Sequence, residues 1–235
     1  MTPSDRRPRV LLCASGSVAT VKIPELAVKL HAFADVRSVI ASFPMSAVKV
    51  VLTKAADFFL ARAKDYDPTN WAAFEAARSQ LPVLRDEDEW ASWNVVGDPV
   101  VHIDLKDWAD IMVLAPLSAN TLGKLANGLS DNLLVGFPSK WFALMISHYP
   151  ELPTDLCGSK PFVYAPAMNT DMWNHPMTAR HLKVLDELGY AMVDPVEKKL
   201  ACGVIGKGGL APVDDIIEVV RTALSRSNTS TTRQD

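Results

Sequence analysis

The 235-residue chain has three cysteines, Cys13, Cys157 and Cys202. They are too few and too scattered for a disulfide framework or a zinc cage, so no metal is expected and a reducing, cytoplasmic setting is the default. No window approaches about 18 uninterrupted apolar residues, which argues against a membrane span. The first ten residues contain no signal-type apolar segment separate from the first strand-like run. Charge of one sign is also missing. A net charge of -3 gives no electrostatic case for nucleic acid or an anionic membrane surface. Two nucleotide motifs are absent as well. Only Gly16 stands where a GxGxxG fingerprint would need three glycines, and the GKGG at 206–209 lacks the spacing of a phosphate-binding GxxxxGK[ST] loop. These absences move the expectation away from dinucleotides and nucleoside triphosphates, towards a mononucleotide.

What is present is abundant core material: 49% of residues are hydrophobic, enough for one large domain over 1–224, with a polar, disordered tail expected over 225–235. RVLLCASGS (9–17) is a continuous apolar run ending in small residues, as in a strand buried on both faces. A helical pattern follows from 18 to 33, with Pro24 near its start. Strand-like runs recur at 36–42 (VRSVIAS), 48–53 (VKVVLT), 109–117, 161–166 and 190–195, separated by helical patterns. The helix after the fourth unit stops at Gly189, and an amphipathic helix closes the chain near 214–225. This alternation predicts an α/β fold, a flavodoxin-like or Rossmann-like three-layer sandwich around a parallel sheet. The stretches 63–82 and 136–160 read as long excursions.

In such sheets ligands bind beyond the carboxyl ends of the strands. Those ends read ASGSVAT, LTKAAD, APLSANT and APAMNTDM, all rich in small or hydroxyl residues. SGSVAT fits either an ordinary strand–helix turn or a phosphate site. In PLSANT one residue is explained as a helix N-cap, and Ser118, Asn120 and Thr121 together favour a ligand. In PFVYAPAMNTDMWNHP, two methionines and a tryptophan crowd a turn where glycine, serine and aspartate would be usual. That arrangement suits gripping a ligand. His102 has apolar neighbours, as a core histidine would, but precedes a candidate ligand strand. His31, His148, His175 and His181 have no such context and read as surface or structural. Cys202, in a segment with four glycines and flanking lysines, reads as a mobile, reactive thiol as readily as a structural one.

Taken together, RVLLCASGSVAT, VVLTKAADFF, the block from DEDEW to SDNLL, PFVYAPAMNTDMWNHPMTARHLKVLDELG and KKLACG closely resemble the homo-oligomeric flavin-containing cysteine decarboxylases. They cover well over half the chain in the family's order, and the likeness is greatest to single-domain eukaryotic members that act in coenzyme A biosynthesis. The resemblance implies FMN as cofactor, a homotrimer with FMN at subunit interfaces, and a small-molecule substrate, 4'-phosphopantothenoylcysteine, decarboxylated to 4'-phosphopantetheine through thioaldehyde and enethiol intermediates. By the same resemblance, Gly16, Ser17 and Val18 form the first FMN loop. Thr53 and Lys54 belong to the second, and Ser118, Ala119, Asn120 and Thr121 to the third. His102 is the matching catalytic histidine, Asn169 and Met172 the substrate clamp, and Cys202 the proton donor on a flap. The family commonly has an acidic residue after ACG; here Val204 follows, which bears on how the flap hydrogen-bonds and closes. Residues 38–49 look inserted. The alternative implied by some fungal relatives is a regulatory flavoprotein, either a phosphatase inhibitor or a subunit of a mixed trimer.

Overall fold

The computed structural model describes residues 8–35, 47–91, 93–136 and 160–231. Six strands form one parallel sheet: β1 (Val10–Ala14), β2 (Val48–Leu52), β3 (Val83–Leu84), β4 (Ile111–Leu117), β5 (Phe162–Pro166) and β6 (Ala191–Met192), in spatial order β3-β2-β1-β4-β5-β6. The chain winds outward from β1 to one edge, then returns to lay β4 on the other side of β1, with Val10 opposite Ile111 and Cys13 opposite Leu114. The strand order therefore reverses between β1 and β4, which makes their carboxyl ends the expected crevice. This is the doubly wound flavodoxin-like sandwich anticipated from the alternation of strand and helix.

The two innermost strands, β1 and β4, are apolar at every position because each feeds two cores. In β1, Val10, Leu12 and Ala14 face one layer while Leu11 and Cys13 face the other, and all five are fully buried. β4 divides in the same way, with Ile111, Val113 and Ala115 on one face and Met112, Leu114 and Leu117 on the other. Burying each leucine contributes about 1.5–3 kcal/mol. Burial also pushes the Cys13 thiol strongly upward, so this cysteine is an inert core residue. Helices α1 (Ile23–Asp35) and α2 (Lys54–Leu60) join the first core through Leu26, Leu30 and Leu60. The second core is covered by Leu105 of α6 (Val101–Trp108) and Leu122 of α7 (Ala119–Ala126), both in the chain's return half.

The stretch 63–82, expected to be a loop excursion, is helical instead. It forms α3 (Ala63–Tyr66) and α4 (Pro68–Ala76), which bury Phe74 and lead to the buried Leu81. Its start signal is local: the Asp67 carboxylate accepts the Asn70 N–H at 3.1 Å, and Pro68 occupies the first turn, where its missing N–H costs nothing. A single-turn helix, α5 (Asp88–Ala91), follows β3. After β5 come α8 (Thr170–Asn174) and α9 (Pro176–Glu187), and Gly189 takes the left-handed conformation (φ +73°) just past the helix end. The closing helix α10 (Val213–Thr231) runs beyond residue 225, where a tail was expected. The expected strand at 36–42 and most of the excursion at 136–160 lie outside the described residues.

The glycine-rich segment around Cys202 is an antiparallel hairpin, β7 (Val196–Lys199) paired with β8 (Ile205–Gly209), rather than an irregular loop. Its base is fastened to the end of β5, where the Met168 N–H donates to the Gly208 carbonyl at 2.9 Å. Gly208 has φ +136°, and a Cβ there would run into the Met168 carbonyl oxygen. Replacement of Gly208 by alanine is expected to cost on the order of 1–3 kcal/mol, the range for a residue forced into such a conformation. Urea unfolding measures the loss, and faster proteolysis within 196–209 would localise it to the hairpin.

Candidate functional site

Four strand ends, four capped helices and one buried hydroxyl make up the crevice. Ser17 follows β1 and its hydroxyl accepts the Ala19 N–H at 3.3 Å, capping a short 3₁₀ turn at Val18–Lys22. Thr53 follows β2 and caps α2 through the Ala56 N–H at 3.2 Å. Ser118 follows β4 and caps α7 through the Thr121 N–H at 3.3 Å. Asn169, just beyond β5, caps α8, its Oδ1 accepting the Met172 N–H at 2.8 Å. A parallel α/β unit turns from strand into helix at its carboxyl edge, so capping residues and ligand loops occupy the same places.

Ser15 ties these loops together. It is fully buried. Its N–H and its hydroxyl both donate to the Pro116 carbonyl at 3.1 Å, and the hydroxyl oxygen accepts the Ser118 N–H at 2.8 Å. The Thr20 hydroxyl donates back to the Ser15 carbonyl at 3.2 Å. On the other side, the Thr53 N–H donates to the Ala14 carbonyl at 3.2 Å, and the Ala167 N–H to that of Leu117 at 2.9 Å. Gly16 permits the first two loops to close, because a Cβ there would lie 2.5 Å from the Cβ of Ala55. The structure thus brings Gly16, Ser17, Thr53 and Ser118 to one edge, with Val18, Lys54 and Asn120 exposed there and Thr121 buried.

His102 reaches the same edge by a different route. Helix α6 precedes β4 and runs antiparallel to it, so the helix start, where His102 is the second residue, lies at the carboxyl end of the sheet. His102 Nδ1 is 2.5 Å from Oε1 of Glu89, a buried carboxylate on α5. Glu89 was not singled out from sequence. Four acids stand in a row at 86–89, and nothing in their spacing marks the one member that turns inward.

Asn169 and Met172 line an open recess of about 360 Å³ with Ala119, Asp171, His175 and Met177, and His181 on the α9 side. The two histidines set aside as structural are thus close to the candidate clamp. His175 also caps α9, accepting the Met177 N–H at 3.2 Å. Cys202 is a free, exposed thiol in the turn of the hairpin. That turn is closed by backbone bonds alone, from the Gly203 N–H to the Leu200 carbonyl and from the Leu200 N–H to the Val204 carbonyl, both 2.9 Å. Its shape therefore does not depend on an acidic side chain at 204. The hairpin base meets the Asn169 loop, while the thiol at its tip remains open to solvent. Among the described residues there is no cluster suited to a metal ion and no helix long and apolar enough to cross a membrane.

The profile of the Flavoprotein family matches residues 2–225. The chain belongs to that family. Among relatives of this flavoprotein, a probable phosphopantothenoylcysteine decarboxylase from Arabidopsis thaliana is 43% identical over 216 residues, covering 92% of this chain and 88% of that one. A solved cysteine-to-serine variant of PPC decarboxylase, complexed with pantothenoylaminoethenethiol, is 42% identical over 92% of this chain and 98% of its own, with a TM-score of 0.73. The FMN-binding protein AtHal3 is 43% identical over 92% and 96% of the respective chains, with a TM-score of 0.69.

Replacing Ser15 by alanine would leave the Ser118 N–H buried without its acceptor. The expected loss is about 1–3 kcal/mol of stability, the penalty for an unsatisfied buried donor. Denaturant unfolding of the serine and alanine proteins, compared at equal slope, measures it.

Proposed function

We propose that this flavoprotein decarboxylates 4'-phosphopantothenoylcysteine to 4'-phosphopantetheine, a step of coenzyme A biosynthesis, with FMN as cofactor. The observation that carries this reading is an amide and an imidazole at the carboxyl edge of one sheet, with a thiol-bearing hairpin fastened to that edge. Asn169 and His102 are at that edge, and the hairpin carrying Cys202 is fastened to the Asn169 loop. The similarity to a PPC decarboxylase complexed with pantothenoylaminoethenethiol supports the same substrate class.

The crevice suits FMN. Its first two loops approach too closely for any side chain at Gly16, its donors are backbone N–H groups and hydroxyls, and Lys54 adds one exposed cation beside Thr53. Gly16, Ser17, Val18, Thr53, Lys54, Ser118, Ala119, Asn120 and Thr121 are the residues we assign to holding it. FMN held there would supply reversible two-electron redox chemistry to the cysteine moiety.

The protein residues bind, orient and move protons. Because the Asn169 Oδ1 is committed to the Met172 N–H, the side-chain NH₂ is the end left to donate to a substrate carboxylate. An uncharged donor holds that carboxylate without the strong opposition to CO₂ loss that an arginine would impose. Met172 packs beside it, half exposed, as an apolar wall. His102 takes up a proton during oxidation of the substrate, and Cys202 returns one to the enethiol.

A homotrimer with FMN at subunit interfaces is part of the proposal. Trp90, Trp93, Val95 and Val96 leave apolar surface exposed near His102, as an unformed interface would. A cytoplasmic location fits a working free thiol. A second reading, a regulatory flavoprotein, rests on the exposure of Val204 (51%) and Ile205 (71%) on the flap. An apolar turn there is a surface for a protein partner as much as a lid.

Anaerobic incubation with 4'-phosphopantothenoylcysteine, following CO₂ and product mass together, is the test. The wild-type protein is expected to release CO₂ and form 4'-phosphopantetheine. The Cys202→Ser protein is expected to release CO₂ only in proportion to its bound FMN and to stop at a product two hydrogens lighter; full turnover by that variant sinks the role given to Cys202. No CO₂ from FMN-loaded wild-type protein selects the regulatory reading.

A further inference from the structure

We propose that Glu89 is the positioning residue for His102, fixing which imidazole nitrogen is free to accept the substrate proton. The inference rests on the decarboxylase reading of the site and extends it to a residue outside the FMN loops and the clamp.

Four consecutive acids occupy 86–89, and Glu89 alone among them is buried. A carboxylate is not withdrawn from water without compensation. The compensation present is the single short contact from Oε1 to His102 Nδ1, 2.5 Å long. Oε2 is buried and has no hydrogen-bond partner among the described residues. A carboxylate that holds the backbone accepts a main-chain N–H, as two of its neighbours do, whereas the contact shown for Glu89 is to a side chain. Asp88 accepts the Arg85 N–H at 2.7 Å, and Asp86 accepts the Leu133 N–H at 2.9 Å. Those two carboxylates anchor the single turn of α5, and Glu89 is then directed at the imidazole.

An ionised carboxylate offers acceptors only, so the proton of the neutral ring is placed on Nδ1. Nε2 is left with its lone pair and is the atom that can take a proton from the substrate. When it does, the imidazolium faces a charge already in position, and Glu89 itself need not be protonated. The proton passes from the substrate cysteine moiety to Nε2 and no further.

The test uses the FMN-loaded full chain with ¹⁵N-labelled histidine. In the wild type the His102 signals, assigned by their loss in His102→Asn, are expected to show Nδ1 protonated and Nε2 bare. Glu89→Leu removes acceptor and charge, and is expected to release the ring into a mixture of tautomers. It should lower kcat on the order of 10²-fold, within the range a positioned general base contributes, with KM and FMN content unchanged. Glu89→Asp, which keeps the charge on a shorter arm, should recover part of kcat. A wild-type ring carrying its proton on Nε2 overturns the inference, as does full kcat in Glu89→Leu. Absence of turnover in the wild type overturns the decarboxylase reading only, since the tautomer seen in the same sample still decides the pairing.

Discussion

The hydroxyl of Ser15 is the contact on which the site's geometry depends. It lies where the strand order reverses, donating to the end of β4 and accepting from the first residue beyond it. Hydrogen bonds of this kind contribute about 1 kcal/mol each in net terms. Their importance here is positional, because the same residue fixes the separation of two loops that reach the crevice from opposite halves of the sheet. Thr20 and Thr53 extend the connection to the following turn and to β2. Gly16 can then approach Ala55 as closely as it does because the loops are already held. A crevice built in this way is rigid before any ligand arrives, which lowers the ordering cost of binding.

The chemical groups reach this rigid edge by three separate routes. Asn169 arrives as the cap of a helix that follows a strand. His102 arrives at the start of a helix that precedes one. Cys202 is carried on a hairpin outside the main sheet, hydrogen-bonded to the β5 loop at Gly208 and packed against Thr170 at Gly206. The first two positions are set by the fold's own geometry, so they are held as firmly as the sheet. The third stands at the end of a two-stranded ribbon, which is marginal in isolation.

The central architecture was legible because parallel strands buried on both faces read as apolar runs, unbroken in β1, β4 and β5 and interrupted in β2 only by Lys49. The outer strands were harder to see. β3 and β6 are two residues long and carry no periodicity of their own. The helices at 63–76 were missed although Asp67 and Pro68 form an ordinary helix start, because alanines and scattered charges supply little amphipathic pattern. The hairpin was hidden by its glycines, which let the chain pack against Thr170 and under the Met168 carbonyl but weaken any strand signal. Asn169 and Cys202 drew notice in the sequence by their type and setting. Glu89 did not, because its meaning comes from a partner thirteen positions away that only the folded chain brings within reach.

Asn169 caps a helix with its oxygen and presents its nitrogen to the recess. On the proposed reading both halves of one amide are in use, so a substitution at this position meets two demands. Aspartate would keep the cap while setting a negative charge towards a carboxylate. Serine or threonine would keep the cap and lose the outward NH₂ pair. Glutamine would keep the chemistry while moving its oxygen one methylene away from the helix end. The common exchanges for asparagine therefore each give up either the cap or the neutral NH₂ donor.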